Sequence, residues 1–195
     1  MSCALATFSG RTAPTRLLNL LFHASVATPL IPESERELFR RTLLAGRFNL
    51  LLGAGVSVSS KNEYGNSLMS SEALRQNICR AKGLNDGTPL SRASKHLTLQ
   101  DRKLLLVDPF KVSEAGPELV DLLRYPWNRI FSFNIDDAVE VAHKAVDIDR
   151  NQSVLQPLHF KEDFVENKNP DVLQLIHLHG SVRNPSEPFV FSYRQ

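Results

Sequence analysis

Phe48-Asn49-Leu50-Leu51-Leu52 runs directly into Gly53-Ala54-Gly55-Val56-Ser57, and the reading of this stretch decides how the rest of the chain is read. Its first half is short, apolar apart from Asn49 and free of alternation, the pattern of a parallel strand covered on both faces. Its second half sheds side chains where that strand should stop. Two glycines one residue apart let backbone approach a ligand, and amides at the turn that follows can face a pyrophosphate. The full dinucleotide fingerprint wants a third glycine three residues on, where Val58 stands, so a tight structural turn explains the stretch equally well. Gly55 is expected where a β-carbon would collide with a ligand or with the turn.

Working outward toward the amino terminus, Ser34-Glu35-Arg36-Glu37 has capping-box spacing, Leu38, Phe39, Leu43 and Leu44 share a broad face, and Gly46 supplies a left-handed stop. A short amphipathic helix therefore precedes the strand. Toward the carboxyl terminus, residues 57 to 71 read as a polar loop, Leu74 and Ile78 as one face of a helix ending near Gly83, and Glu118 to Arg124 as a helix opened by Gly116-Pro117. Arg129 to Phe133 reads as a second strand, Asn134-Ile135-Asp136 as the loop at its carboxyl end, and Asp137 to Lys144 as a helix. Val154-Leu155, Val172 to Leu178 and Phe189 to Phe191 read as further strands. Strands separated by helix-length segments, with polar residues where strands stop, predict an open α/β parallel sheet with its site at the carboxyl ends.

The composition narrows the function classes. The 195 residues are 42% apolar, with 23 basic and 21 acidic side chains, enough apolar content for one ordinary domain. Residues 48 to 195 hold 17 basic and 18 acidic side chains, which argues against nucleic acid as a partner. Cys3 and Cys79 make no CxxC pair, so a cysteine-built zinc knot and a disulfide framework are set aside and a reducing, cytoplasmic setting is expected. The densest apolar run, Leu17 to Phe22, is far short of the ~20 residues of a membrane span. Residues 1 to 32 carry no acidic side chain and read as a leader or a docking segment, with residues 33 to 195 as the α/β domain.

Taken singly, the polar residues at the strand ends have bland uses. Asn134 can close a turn and Asp136 or Asp137 can cap the following helix. His177-Leu178-His179-Gly180 places two histidines on one face of an extended chain, and a histidine at a strand end offers a base near neutral pH. His177, His179 and Asp136 as metal ligands form a weaker alternative, because the remaining histidines show no signature spacing.

The ordered set says more. GAGVS at 53 to 57, FNIDDAVE at 133 to 140 and HLHGS at 177 to 181 resemble the glycine loop, the Asn-x-Asp segment and the His-Gly segment of the sirtuin (Sir2-like) superfamily. The FNIDDAVE form is closer to the divergent bacterial Sir2-like domains of antiphage defence proteins than to protein deacylases. The resemblance covers about residues 38 to 193. It implies a Rossmann-like fold and NAD as substrate, cleaved to nicotinamide and ADP-ribose. Gly53, Ala54, Gly55 and Ser57 would line the phosphates, Asn134 and Asp136 would lie by the nicotinamide ribose and carboxamide, and His179 would be the catalytic histidine alongside Asn134. Phe133 stands where deacylase sirtuins carry Gln, and both their Asp-Phe-Arg segment and their four-cysteine zinc module are absent, which ranks NAD-dependent deacylation low. The family's later strands, which hold the adenosine half, have no counterpart before Gln195. The expectation is therefore a domain incomplete at its carboxyl end, completed by a further domain, another chain or a homo-oligomer, or else a catalytically inactive structural module.

Overall fold

The computed structural model describes residues 31–146, 152–163, 165 and 168–191. Residues 1 to 30, most of the segment read as a leader or a docking segment, lie outside these residues. Helix α1 (Glu33–Leu44) leads into β1 (Asn49–Leu52), and Gly46 at φ +65° makes the expected left-handed stop. Its start differs from expectation. Pro32 occupies the cap without a side-chain bond, Ser34 already lies inside the helix, and Glu37 pairs with Arg40 at 3.0 Å instead of reaching back. Proline's fixed φ presets the entry, so no capping box is needed.

The segment read as a featureless loop holds more structure than its serines suggest. Ala54–Ser57 makes a single 3-10 turn, and β2 (Lys61–Asn62) pairs antiparallel with β3 (Val112–Glu114). Between them runs a helical layer: α2 (Ser71–Lys82), α3 (Leu90–Ala93) and α4 (Leu99–Arg102), the last continuing into a π-helical turn at Lys103–Val107. Ser70 caps α2, and Gly83, at φ +61°, closes it where the sequence places the helix end. Helix α5 (Pro117–Leu122) follows with proline in its first turn.

Strands β4 (Arg129–Ser132), β5 (Val154–His159) and β6 (Val172–His177) join β1 in one four-stranded sheet, ordered β1-β4-β6-β5, with every pair parallel. Helix α6 (Ala138–Ala145) packs on it. The protein is thus mixed α/β with a parallel sheet. The strand covered on both faces is β6, where Leu173 and Leu175 are fully buried; β1 ends the order of described strands and leaves Leu51 64% exposed. Phe189 to Phe191 is not a strand. Both phenylalanines pack instead on an apolar cluster of the helical layer that includes Leu74, Ile78, Leu90, Leu106 and Phe110. A separate cluster, built from Leu52, Leu119, Ile130, Val139 and Leu175, fills the space between sheet and helices. Among the described residues no helix is long and apolar enough to cross a membrane.

Candidate functional site

The carboxyl ends of β1, β4 and β6 meet because adjacent parallel strands stop in register: Leu52 lies opposite Ser132, and Ser132 opposite His177. Backbone bonds carry the alignment past the strand ends, from Phe133 N–H to the Leu52 carbonyl at 3.0 Å and from Leu178 N–H to the Ser132 carbonyl at 2.8 Å. The three segments singled out in the sequence therefore lie side by side, where the chain leaves the sheet and the helical layer closes over it.

Asn134 is the hub. Its Nδ2 donates to the Gly53 carbonyl at 3.1 Å and to Ser57 Oγ at 2.9 Å, and Ser57 Oγ donates in turn to Asp136 Oδ1 at 3.1 Å. Asp136 Oδ1 also accepts from the Ala138 amide at 3.1 Å, so this aspartate serves the start of α6 as expected of one of the pair. Both amide protons of Asn134 are thereby committed to protein, while its Oδ1 is buried without a partner. A buried carbonyl oxygen left with empty lone pairs is an acceptor waiting for a donor. Burial pushes the Asp136 carboxyl up to about 6, reinforced by the charges of Glu140 and Asp137 and opposed by the two hydrogen bonds it accepts.

His179 lies just beyond β6 in a turn, half-buried, with its ring 5.1 Å from that of Phe133 and inclined at 60°. Burial lowers its pKa below the usual imidazole value, and a hydrogen bond with the Phe133 backbone works in the opposite direction. The imidazole is therefore neutral and oriented at pH 7. Gly180, at φ +88°, lets the chain turn behind it; a β-carbon there would sit 2.9 Å from the Pro188 carbonyl oxygen.

These residues border one cavity of about 170 Å³, with Ala54, Ser57, Asn134, Asp136 and His179 on the polar side and Leu68, Met69, Leu74, Phe110 and Phe191 among its apolar walls. Neither Gly53 nor Gly55 lines the cavity; the Gly53 carbonyl instead accepts from Asn134 and so positions that side chain. Gly55 has no atom within 4 Å of a hypothetical β-carbon and no left-handed φ, so the turn itself does not require glycine there. Ser57 is 1% exposed and its hydroxyl is spent on Asn134 and Asp136, which gives it a framework duty in addition to its place on the wall.

Sequence reasoning missed the layer beneath. Glu140, 4% exposed, accepts from or pairs with His177 Nε2 at 3.2 Å, and Arg183 spans Asp137 at 2.8 Å and Glu140 at 3.7 Å. Asp137 also accepts from the Val112 amide at 2.7 Å, and burial raises its carboxyl while that bond and Arg183 lower it. The Arg183 link ties the turn after His179 to the start of α6. His177 thus faces Glu140 inside the core while His179 lines the cavity, so the two histidines do not act as paired ligands; among the described residues no group of three His, Cys, Asp or Glu side chains is arranged to hold a metal ion. The spacing of FNIDDAVE did hold the signal: Glu140 lies one helical turn after Asp136, on the face of α6 that meets the strand ends.

No protein-family model matches the chain, and no curated protein matches it.

Proposed function

We propose that this chain is a Sir2-like domain, with a Rossmann-like sheet, that hydrolyses NAD to nicotinamide and ADP-ribose. The observation that carries the reading is that Asn134, whose Oδ1 is buried without a protein partner, and the half-buried His179, whose pKa burial lowers, border one cavity. The cavity suits the nicotinamide end of the substrate. Its apolar walls can receive the ring, and Asn134 Oδ1 can accept a hydrogen bond from a ribose hydroxyl.

In this reading the bond between ribose carbon and pyridinium nitrogen breaks, its electron pair goes to the departing nicotinamide, and positive charge develops on the ribose. Asp136, whose carboxyl titrates near 6 and is mainly ionised above it, lines the same cavity and stabilises that charge. Asn134 holds the hydroxyl, and His179 takes the proton released when water attacks the ribose carbon. Water supplies both the oxygen gained by ADP-ribose and the proton given up.

Incubation of the purified chain with NAD, followed by chromatography of products, tests the reading. Free nicotinamide and ADP-ribose in equal amounts are expected. A cyclised product would replace hydrolase with cyclase, and absence of turnover together with absence of any NAD-induced heat stabilisation would favour a non-catalytic module.

A further inference from the structure

A second concavity of about 460 Å³ lies beside the first, lined by Ser91, Arg92, Ser94, Lys95, Phe189, Val190 and Phe191. Phe191 borders both cavities, and Leu90 of the first is the chain neighbour of Ser91 in the second. The two are therefore contiguous. Their charge differs sharply. No Lys or Arg lines the first cavity, whereas Arg92 and Lys95 line the second, are exposed, and make no ion pair or side-chain hydrogen bond among the described residues. Two cations without an ion pair among the described residues, lining one concavity with two serines and two partly exposed phenyl rings, present the chemistry that recognises a phosphate joined to a flat ring.

We infer that this groove is the phosphate subsite of a nucleotide ligand whose other end occupies the cavity of Asn134 and His179. The identity of that ligand as a dinucleotide rests on the NAD reading; the requirement for a phosphate does not. The inference relocates the charge of the ligand. No Lys or Arg borders the first cavity, whereas Arg92 and Lys95 line the groove across Phe191 and can hold the anionic half, and the phenyl rings of Phe189 and Phe191 give the adenine a face to lie on. Because both cations are exposed, their pull is screened by salt.

The test compares ligands that differ in phosphate, titrated calorimetrically into the wild type, into a Arg92→Ala/Lys95→Ala double variant, and into Lys144→Ala as a cation outside both cavities. The double variant removes no contact on which folding depends, and its unfolding midpoint serves as the control. Affinity for ADP-ribose and NAD should fall tenfold or more in the double variant and less at high salt, nicotinamide riboside should bind both proteins within twofold, and Lys144→Ala should match the wild type. Equal ADP-ribose affinity in the double variant and the wild type overturns the subsite even if NAD is cleaved. If ADP or pyrophosphate binds the wild type in a manner lost in the double variant while nicotinamide riboside and NAD do not bind, the phosphate subsite stands and the NAD reading falls.

Discussion

Ser57 Oγ donates to Asp136 Oδ1 across 3.1 Å, joining the turn after β1 to the loop after β4 over 79 residues of sequence. Both groups are buried, and the same hydroxyl accepts from Asn134. The bond therefore fixes the two walls of the cavity relative to each other and sets where Asn134 Oδ1 is held.

Replacing Ser57 with Ala removes one donor and one acceptor at a buried position. The expected cost is about 1–3 kcal/mol, the usual penalty for orphaning buried polar groups. Asp136 loses a hydrogen bond that favours its charged form, so its carboxyl should titrate above the present value of about 6. Urea unfolding and carboxyl NMR titration check both. A Ser57→Ala protein with unchanged stability and an unchanged Asp136 titration would remove the bond from the account.

Asp136 also makes stability depend on pH in a defined window. Its carboxyl is raised from 3.8 to about 6, so the folded protein holds the proton more tightly than the unfolded chain. The stability is present in full below pH 4 and is lost as pH rises through 6, an effect of about 2–3 kcal/mol from this group. Asp136→Asn keeps an acceptor for Ser57 and Ala138 but cannot ionise. Its stability relative to the wild type should rise between pH 4 and pH 6 and stay level above; a difference independent of pH would contradict the assignment.

Arg183 is the one cation paired with the buried carboxylates Asp137 and Glu140 among the described residues. It is itself 43% exposed, so its removal should cost about 1–3 kcal/mol, between the values for surface and fully buried pairs. Arg183→Ala should be more damaging at pH 8 than in acid, because burial raises the Asp137 carboxyl and a protonated Asp137 does not need the guanidinium. Denaturation under the two conditions distinguishes this from simple loss of packing, which would cost the same in both.

Two glycines should respond oppositely. Gly180→Ala forces a side chain onto a φ of +88° and against the Pro188 carbonyl, and is expected to cost about 1–3 kcal/mol and to displace His179. Gly55→Ala meets open space, so its stability should change by no more than about 0.5 kcal/mol. Thermal unfolding of the pair settles which glycine the backbone needs; an equally destabilised Gly55→Ala would show that the turn after β1 is the more demanding one.

Much of this architecture was legible before any coordinates. The runs at Ile130 to Ser132 and Val172 to Ile176 announced strands because their side chains are largely buried beside parallel neighbours, the run at Leu50 to Leu52 announced one although its Leu51 faces out, and the polar residues after them marked the sheet's carboxyl edge. The capping box at Ser34 misled because proline two residues earlier already set the entry to α1. Phe189 to Phe191 misled for a different reason: a three-residue apolar run has no period, and here the rings cover the helical layer instead of extending the sheet. Gly55 drew attention by its motif, whereas the glycine held in a left-handed conformation at the site is Gly180. The pairing of Arg183 with Asp137 and of His177 with Glu140 joins residues 46 and 37 positions apart in sequence, a distance over which local pattern carries no register.

The proposed NAD cleavage uses His179 as its proton acceptor. The most direct measurement is the rate of nicotinamide release from NAD by the wild type and by His179→Ala, with the unfolding midpoint of each recorded in the same buffer. His179 is half-buried and its hydrogen bond runs to the Phe133 backbone, so the variant should fold, and its turnover should fall by about 10²- to 10⁴-fold, the usual contribution of a positioned general base. A folded His179→Ala protein that releases nicotinamide at the wild-type rate, or a wild type that releases none, would contradict the claim.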